Sequence, residues 1–114
     1  MAAYTVQNFV VAGAVPSYTA VSASDTFAPV SDEPHILHVK NAGGSPDSVV
    51  IDDPTSVDPG SSTSFNPDVT VSVANGAEKF IRIDPRRFKN TGTGNVTVTH
   101  SFTTSVTAAV FVAP

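Results

Sequence analysis

The most constraining feature of this sequence is its abundance of residues branched at Cβ. Valine occurs 18 times, threonine 13 times and isoleucine four times, against one leucine and two glutamates. Branching at Cβ restricts χ1 and favours the extended backbone over the helix. No window places good helix formers at a period of 3.6 residues. The composition therefore predicts an all-β protein.

Turn-forming residues interrupt the β-type runs roughly every ten residues, which is typical of a sandwich or small barrel. We predict strands at 4–11, 17–23, 36–41, 48–52, 69–73, 79–83, 95–100 and 105–112. The length of 114 residues suits one domain with a modest core, and no repeat or linker divides it. We therefore expect a single domain over 1–114, an antiparallel β-sandwich of about eight strands with a jelly-roll-like or Ig-like topology.

Two loops stand out between the predicted strands. A P-loop needs its lysine after the glycines and a helix behind it, but in the loop at 41–46 Lys40 precedes the glycines and a strand follows. A β-hairpin with glycines at positive φ explains this loop without a ligand. The core side of that hairpin would be formed by Leu37, Val39, Val49 and Ile51. The stretch 52–67 is expected to run over the surface, where loops of this length often contact partners.

The charge of the chain limits its partners. Charged residues make up 14% of the sequence and the net charge is −4. Soluble domains usually carry about 25% charged residues, so part of this surface is covered by partner subunits or is rich in serine and threonine. A negative net charge argues against nucleic acid, which normally meets a basic face. No apolar stretch approaches the roughly 18 residues that cross a bilayer, so no membrane partner is expected.

No arrangement of side chains indicates an enzyme, a metal site or a cofactor. The chain has no cysteine, and it has no Gly-x-Ser-x-Gly nucleophile motif. His35 and His38 lie an odd number of positions apart on one strand, so they point to opposite faces and cannot share a metal. We expect these two and His100 to be solvated or at an interface. The three aspartates within 52–58 lack the EF-hand spacing for calcium and are interpreted as turn residues.

The run Arg86-Arg87-Phe88-Lys89 is the only basic cluster and holds three of the six basic residues. Arginine beside an aromatic ring is common at protein interfaces, although it can also contact phosphate. The plain alternative is a solvated turn with Phe88 packed in the core. We take Arg86, Arg87 and Phe88 as candidate partner contacts, together with Lys40, which alternation directs to solvent or to a neighbour.

Four runs carry a resemblance that covers most of the chain. They are YTAVSASDTFAPV (18–30), LHVKNAGGSPDSVVI (37–51), DVTVSVANGAEKFIRIDPRRF (68–88) and GNVTVTHSFTTSVTAAVF (94–111). These runs resemble a group of small β-sandwich proteins encoded among the virion structural genes of tailed bacteriophages that infect actinobacteria and related hosts. The resemblance consists of strand and turn patterns, without a catalytic signature.

The resemblance implies a virion component: a head decoration protein, or a neck, head-completion or tail component. A decoration protein would bind the major capsid protein on the outer surface of the head, often as a trimer, and stabilise it by bridging subunits without a cofactor. The strand-like ends MAAYTVQNFVV and TAAVFVAP suit this role, because exposed edge strands can add to a neighbour's sheet. A carbohydrate- or receptor-binding module is the alternative of another class. It is disfavoured because sugar sites usually need aromatic platforms, and the chain has no tryptophan and only Tyr4 and Tyr18.

Overall fold

A computed structural model describes residues 1–54 and 68–113 and shows the all-β sandwich that the composition predicts. In chain order the strands are β1 (Ala3–Tyr4), β2 (Val6–Asn8), β3 (Thr19–Ala20), β4 (Ser24–Phe27), β5 (His35–Asn41), β6 (Asp47–Ile51), β7 (Val69–Val73), β8 (Glu78–Ile83), β9 (Val96–His100) and β10 (Val106–Val112). One short helix, α1 (Pro85–Phe88), follows β8. Within the described ranges, no helix has the length and apolar character that crossing a membrane requires.

Two five-stranded sheets pack face to face. The first has the order β1-β4-β9-β6-β7, and the second has the order β2-β10-β5-β8, with β3 also paired to β10. The described strands pair antiparallel except at β1–β4 and β2–β10, which run parallel. The N-terminal segment therefore adds one short strand to each sheet and changes sheet at Thr5, so the sheets are mixed where we expected them to be antiparallel.

Alternation along the strands builds the core between the two sheets. In β9, Val96 and Val98 are buried while Thr97 and Thr99 are half-buried on the other face. In the other strands, too, every second side chain points into the core. The largest fully buried apolar side chains include Phe27, Leu37, Val39, Val49, Ile51, Ile83 and Val110. Full burial of one such side chain stabilises the fold by about 1.5–3 kcal/mol.

The two chain ends differ from the prediction. The strand expected over 4–11 is split into β1 and β2, and 9–16 forms a loop in which the Gly13 N–H donates to the Val10 carbonyl at 2.9 Å. Gly13 has φ of +86°, which turns the chain where a strand would continue. The C-terminal run is not an exposed edge, because β10 lies in the middle of the second sheet between β2 and β5.

The loop at 41–46 connects the two sheets and is not a β-hairpin. β5 pairs with β8 and β10, whereas β6 pairs with β7 and β9. The glycines with positive φ are elsewhere, so the positive-φ explanation of Gly43 and Gly44 is also wrong. The four predicted core residues are nevertheless buried, and they face each other across the sandwich from opposite sheets: Leu37, Val39, Val49 and Ile51.

Candidate functional site

The outer face of the second sheet carries a cluster of aromatic side chains. His38 of β5, Phe80 of β8 and Phe111 of β10 point away from the core because they alternate with buried neighbours. The chain between β2 and β3 brings Phe9 and Tyr18 over them. These five residues, with a few smaller neighbours, line a depression of about 260 Å³. We call it the aromatic cleft.

The rings of the aromatic cleft are packed in a fixed arrangement. Phe9 stacks on Phe111 with ring centroids 5.3 Å apart, and His38 stacks on Phe80 at 4.1 Å. Tyr18 meets Phe111 edge-on at 6.3 Å and His38 edge-on at 5.4 Å. Contacts of this kind favour one ring geometry. Phe80 is still 68% exposed and Phe9 51% exposed, so much of the cleft faces solvent.

The polar groups of the cleft are paired with one another. The His38 Nδ1 lies 2.7 Å from the Tyr18 hydroxyl, and its Nε2 lies 3.2 Å from Glu78 Oε1. A neutral ring satisfies both contacts, because Nε2–H donates to the carboxylate and Nδ1 accepts from the hydroxyl. Burial, and then the Glu78 carboxylate, raise the pKa of Tyr18 above its ordinary value, which keeps its hydroxyl protonated. The Lys40 Nζ lies 4.6 Å from the centre of the Tyr18 ring, a cation–π contact.

An exposed apolar loop adjoins the cleft. This apolar loop, residues 9–16, contains Val11 and Val15, whose side chains are almost fully exposed. Its two ends are tied together by Gln7, whose Nε2–H donates to the Ser17 carbonyl at 2.7 Å and whose Oε1 accepts from the Ser17 N–H at 2.8 Å. A compact surface loop with joined ends is a common carrier of binding functions.

The apolar loop and the cleft together form a surface suited to covering by apolar groups. Tyr18, His38 and Gln7 each bond to other groups of the protein, and apart from Asn8 the rest of the cleft lining is aromatic and aliphatic. Such a surface gains free energy by excluding water, at about 25 cal/mol for each Å² covered. It offers few unpaired polar groups with which to orient a hydroxyl-rich ligand.

The predicted contact residues fall at two separate places. Lys40 lies at the cleft beside Tyr18, as described above. Arg86, Arg87 and Phe88 belong to α1, whose N-cap is Asp84, and the Asp84 side chain accepts from the Arg86 N–H at 3.0 Å. The structure therefore does not bring Lys40 together with the basic cluster as one site.

The α1 residues have different roles. Arg86 is exposed, and its side chain bonds to Asp84 and lowers the pKa of that carboxyl below its usual range. Arg87 bonds Asp53 Oδ2 through its Nε at 2.8 Å and so fixes α1 to the end of β6. Phe88 is buried in the core. Arg86 is thus the candidate of the three whose side chain is most available to a partner.

Apart from the aromatic cleft, a cluster of buried polar side chains lies inside the sandwich, and the sequence patterns did not predict it. Three neighbouring strands of the first sheet each turn a titratable residue inward at one end: Asp25 from β4, His100 from β9 and Asp47 from β6. Tyr4 of β1 joins them. The side chains of Asp25, Asp47 and His100 have no exposed surface.

Hydrogen bonds connect this cluster. His100 Nδ1 lies 2.7 Å from Asp47 Oδ2, and its Nε2 lies 3.0 Å from the Tyr4 hydroxyl. The Tyr4 hydroxyl donates to Asp25 Oδ2 at 2.5 Å, and Ser22 donates to the same carboxylate through both its hydroxyl and its N–H. Burial raises the pKa of Asp25, but the bonds from Ser22 and Tyr4 and from backbone N–H groups outweigh it, so the pKa lies below its ordinary value.

The expectation that the histidines are solvated is wrong, whereas an interface role for them stays a prediction. All three are buried, and His35 packs against Phe27 on the inner face, opposite to His38 as alternation predicts. His35 accepts from the Val30 N–H and bonds the Glu33 carbonyl, so both ring nitrogens are paired within the chain. Over 1–54 and 68–113, no group of three or more acidic or histidine side chains could hold a metal ion. Asp58 and most of the predicted surface stretch 52–67 lie outside the described residues.

Parity in the sequence predicts the direction in which several of these side chains point, but not that their strands are neighbours. Asp25, Asp47 and His100 each lie two positions from a valine or phenylalanine of the core, so alternation places them inward. Phe80 precedes the buried Ile81 and is therefore directed outward.

Comparison of the chain with protein-family models, with curated proteins and with solved structures gave no match.

Proposed function

We propose that the protein is a structural component of a tailed-bacteriophage virion and decorates the outer surface of the head. The supporting observation is the apolar face formed by the apolar loop and the aromatic cleft, in which Tyr18, His38 and Gln7 are already paired within the protein. An exposed apolar patch on a small domain marks a site for another macromolecule. The resemblance of the four sequence runs suggests that this macromolecule is the major capsid protein.

In this proposal the apolar face lies against capsid subunits and loses its water. Complete burial of an exposed valine contributes about 1.5–3 kcal/mol before the cost of association is subtracted, so Val11 and Val15, with the half-exposed Phe9, are suited to a weak contact. A copy that touches two capsid subunits bridges them, because neither subunit can leave without breaking contacts to the other. Many copies on one shell add avidity, and each contact can remain weak. This mechanism requires no cofactor and no catalytic residue.

Arg86 is the proposed second contact of the decoration protein. Its side chain is 68% exposed and could meet an acidic capsid surface. Arg87 and Phe88 hold α1 in place, so replacing them would disturb the fold as well as a contact. The charge reversal Arg86→Glu alone is therefore the informative variant of the basic cluster.

Co-sedimentation with capsids that lack the protein tests the apolar face. The variant Val11→Asp/Val15→Asp should lose at least tenfold in capsid affinity, because two carboxylates would have to be desolvated on binding. Val30→Asp is the matched control, since Val30 is also an exposed valine but lies outside the apolar loop and the cleft. Absence of binding by the wild-type protein, or equal binding by both variants, would contradict the proposed interface.

The position on the particle separates decoration from the other virion roles. A density map should show this chain over the whole head if it is a decoration protein, and as one ring at a single vertex if it is a neck, head-completion or tail component. The 68% exposed Phe80 is the one observation that favours a second candidate, a carbohydrate- or receptor-binding module, because aromatic rings can stack on sugars, although the cleft offers few polar groups to orient them. Specific signals on a glycan array that vanish with Phe80→Ala would support that candidate.

A further inference from the structure

The outer strand of the second sheet has a free edge. In the described part of the chain, β8 pairs with β5 on one side and with no strand on the other. Four of its residues, Glu78, Lys79, Phe80 and Arg82, are exposed. A free edge presents a row of unpaired backbone N–H and C=O groups, which can pair with a strand from another molecule.

The phase of the β5–β8 ladder identifies which backbone groups are free. The Asn41 N–H donates to the carbonyl of Ala77, directly opposite, at 2.9 Å. Bonded and non-bonded positions alternate along an antiparallel pair, so beyond Ala77 the odd-numbered residues of β8 bond to β5. The even-numbered residues Glu78, Phe80 and Arg82 therefore direct their N–H and C=O groups to the free edge.

The side chains of the same three residues share the outer face of the sheet, in the order acid, aromatic, base. We propose that a second copy of the chain pairs with this edge, β8 against β8, antiparallel about a two-fold axis at Phe80. In this register Glu78 lies opposite the partner's Arg82, and Arg82 lies opposite the partner's Glu78. The two Phe80 rings lie opposite each other between these charge pairs. Opposite charges and aromatic rings are the favourable cross-strand neighbours.

Other registers of the same edge bring like charges together. A shift by two residues in one direction places Lys79 opposite the partner's Lys79. A shift in the other direction places Glu78 opposite the partner's Asp84, and parallel pairing matches each charge with itself. Charges on an edge strand usually prevent pairing. Here their order allows one register and opposes the others.

The pairing joins the two second sheets into one continuous sheet. It also places the two aromatic clefts side by side, because Phe80 belongs to both the edge strand and the cleft. A two-fold contact of this kind uses the same patch on both copies and closes with two chains, so this edge forms a dimer and not the trimer that the resemblance implies. The inference is independent of the proposed function, since it rests on β8 alone.

Charge-reversal variants test the dimer by analytical ultracentrifugation over a wide concentration range. Glu78→Arg and Arg82→Glu each place like charges at both pairs, so each variant alone should dimerise at least tenfold more weakly than the wild type. The double variant Glu78→Arg/Arg82→Glu restores opposite charges and should recover the dimer. An equimolar mixture of the two single variants should form a heterodimer, because each charge then meets its opposite.

Controls separate the edge from other causes. Glu78 also contacts His38, so Tm is measured for each variant, and Arg82→Glu keeps that contact intact. Glu33→Arg reverses an exposed glutamate outside β8 and should dimerise like the wild type. In the dimer, hydrogen exchange at the Phe80 amide should slow with increasing protein concentration.

Three results would overturn the inference. The first is a wild-type protein that stays monomeric at its highest soluble concentration. The second is a dimer that the single charge reversals leave unchanged, or single variants that fail to associate when mixed. The third is a dimer lost in Val11→Asp/Val15→Asp but kept in the charge variants, which would assign self-association to the apolar loop.

Discussion

One buried ring, His100, determines how the polar groups inside the sandwich are arranged. The Tyr4 hydroxyl has a single proton, which it donates to Asp25. His100 Nε2 lies 3.0 Å from the same hydroxyl oxygen, and its Nδ1 lies 2.7 Å from Asp47 Oδ2. The imidazole therefore links the Asp47 carboxylate to the Tyr4–Asp25 pair. Every member of the cluster is then both paired and dependent on the others.

Removing one carboxylate charge should therefore be costly. Asp47 accepts from His100 and also from the N–H groups of Ser101 and Phe102, and an asparagine cannot accept all three bonds. We expect Asp47→Asn to lower the free energy of unfolding by about 3–5 kcal/mol in urea denaturation, as for other broken buried pairs. Asp32→Asn, at an exposed aspartate, should change it by less than about 0.5 kcal/mol. Equal unfolding curves for the two variants would show that the cluster adds no stability.

Asp25 gives the protein a specific response to acid. Because its pKa is lower in the folded than in the unfolded chain, its ionised form stabilises the fold above the ordinary aspartate pKa of about 3.9. That contribution is lost as the pH falls from this value through the depressed folded pKa. Asp25→Asn should be less stable than the wild type at neutral pH and should lose less stability between neutral pH and acid. A Tm series against pH measures this, and identical slopes would contradict the lowered pKa.

At the scale of the elements, the connection between β5 and β6 requires the backbone of Gly43 to lie close to Thr104 and Phe102. A Cβ on Gly43 would lie 2.3 Å from the carbonyl oxygen of Thr104 and 2.4 Å from the ring of Phe102, whereas a Cβ on Gly44 would meet nothing within 4 Å. The crossing between the sheets is therefore tight at one glycine and open at the next.

The adjacent glycines make a matched pair of variants. Gly43→Ala should destabilise the protein by about 1–3 kcal/mol, the range for overpacking, because backbone must move to admit the methyl group. Gly44→Ala should stay within about 1 kcal/mol of the wild type. Chemical denaturation of both variants measures their free energies of unfolding. A Gly43→Ala protein as stable as Gly44→Ala would show that the loop adjusts to the methyl group at little cost.

Local pattern predicted the central strands well and the N-terminal region poorly. The prediction at 69–73 coincides with β7, and 36–41 and 79–83 differ from β5 and β8 by one residue. These strands have one buried face, so apolar and polar residues alternate along them, and this alternation is visible in the sequence. The run 9–16 has the same β-type residues, but its place over Phe111 depends on strands distant in the chain. β4 was not among the predicted strands, because Asp25 interrupts its apolar pattern. Asp25 is buried there with His100 and Asp47, which come from distant parts of the chain.

At the scale of the whole molecule, sheet membership decides which side chains meet. Parity along one strand predicts whether Phe80 or His38 points inward, but it does not tell which strands are neighbours. The aromatic cleft exists because β10, β5 and β8 are adjacent, and those pairings join segments far apart in sequence. The sequence thus offers Lys40 as a contact candidate, which stays a prediction, but it does not predict the cleft beside it.

The position of β10 has a consequence for how the protein is made. This strand fills the middle of the second sheet, yet its residues are synthesised long after those of β2 and β5, which flank it. While the ribosome translates the intervening chain, the two flanking strands face a gap that no earlier segment fills. Pairings between such distant segments form slowly, and unpaired edges invite aggregation. The second sheet should therefore complete its pairing only after residue 112 has left the exit tunnel.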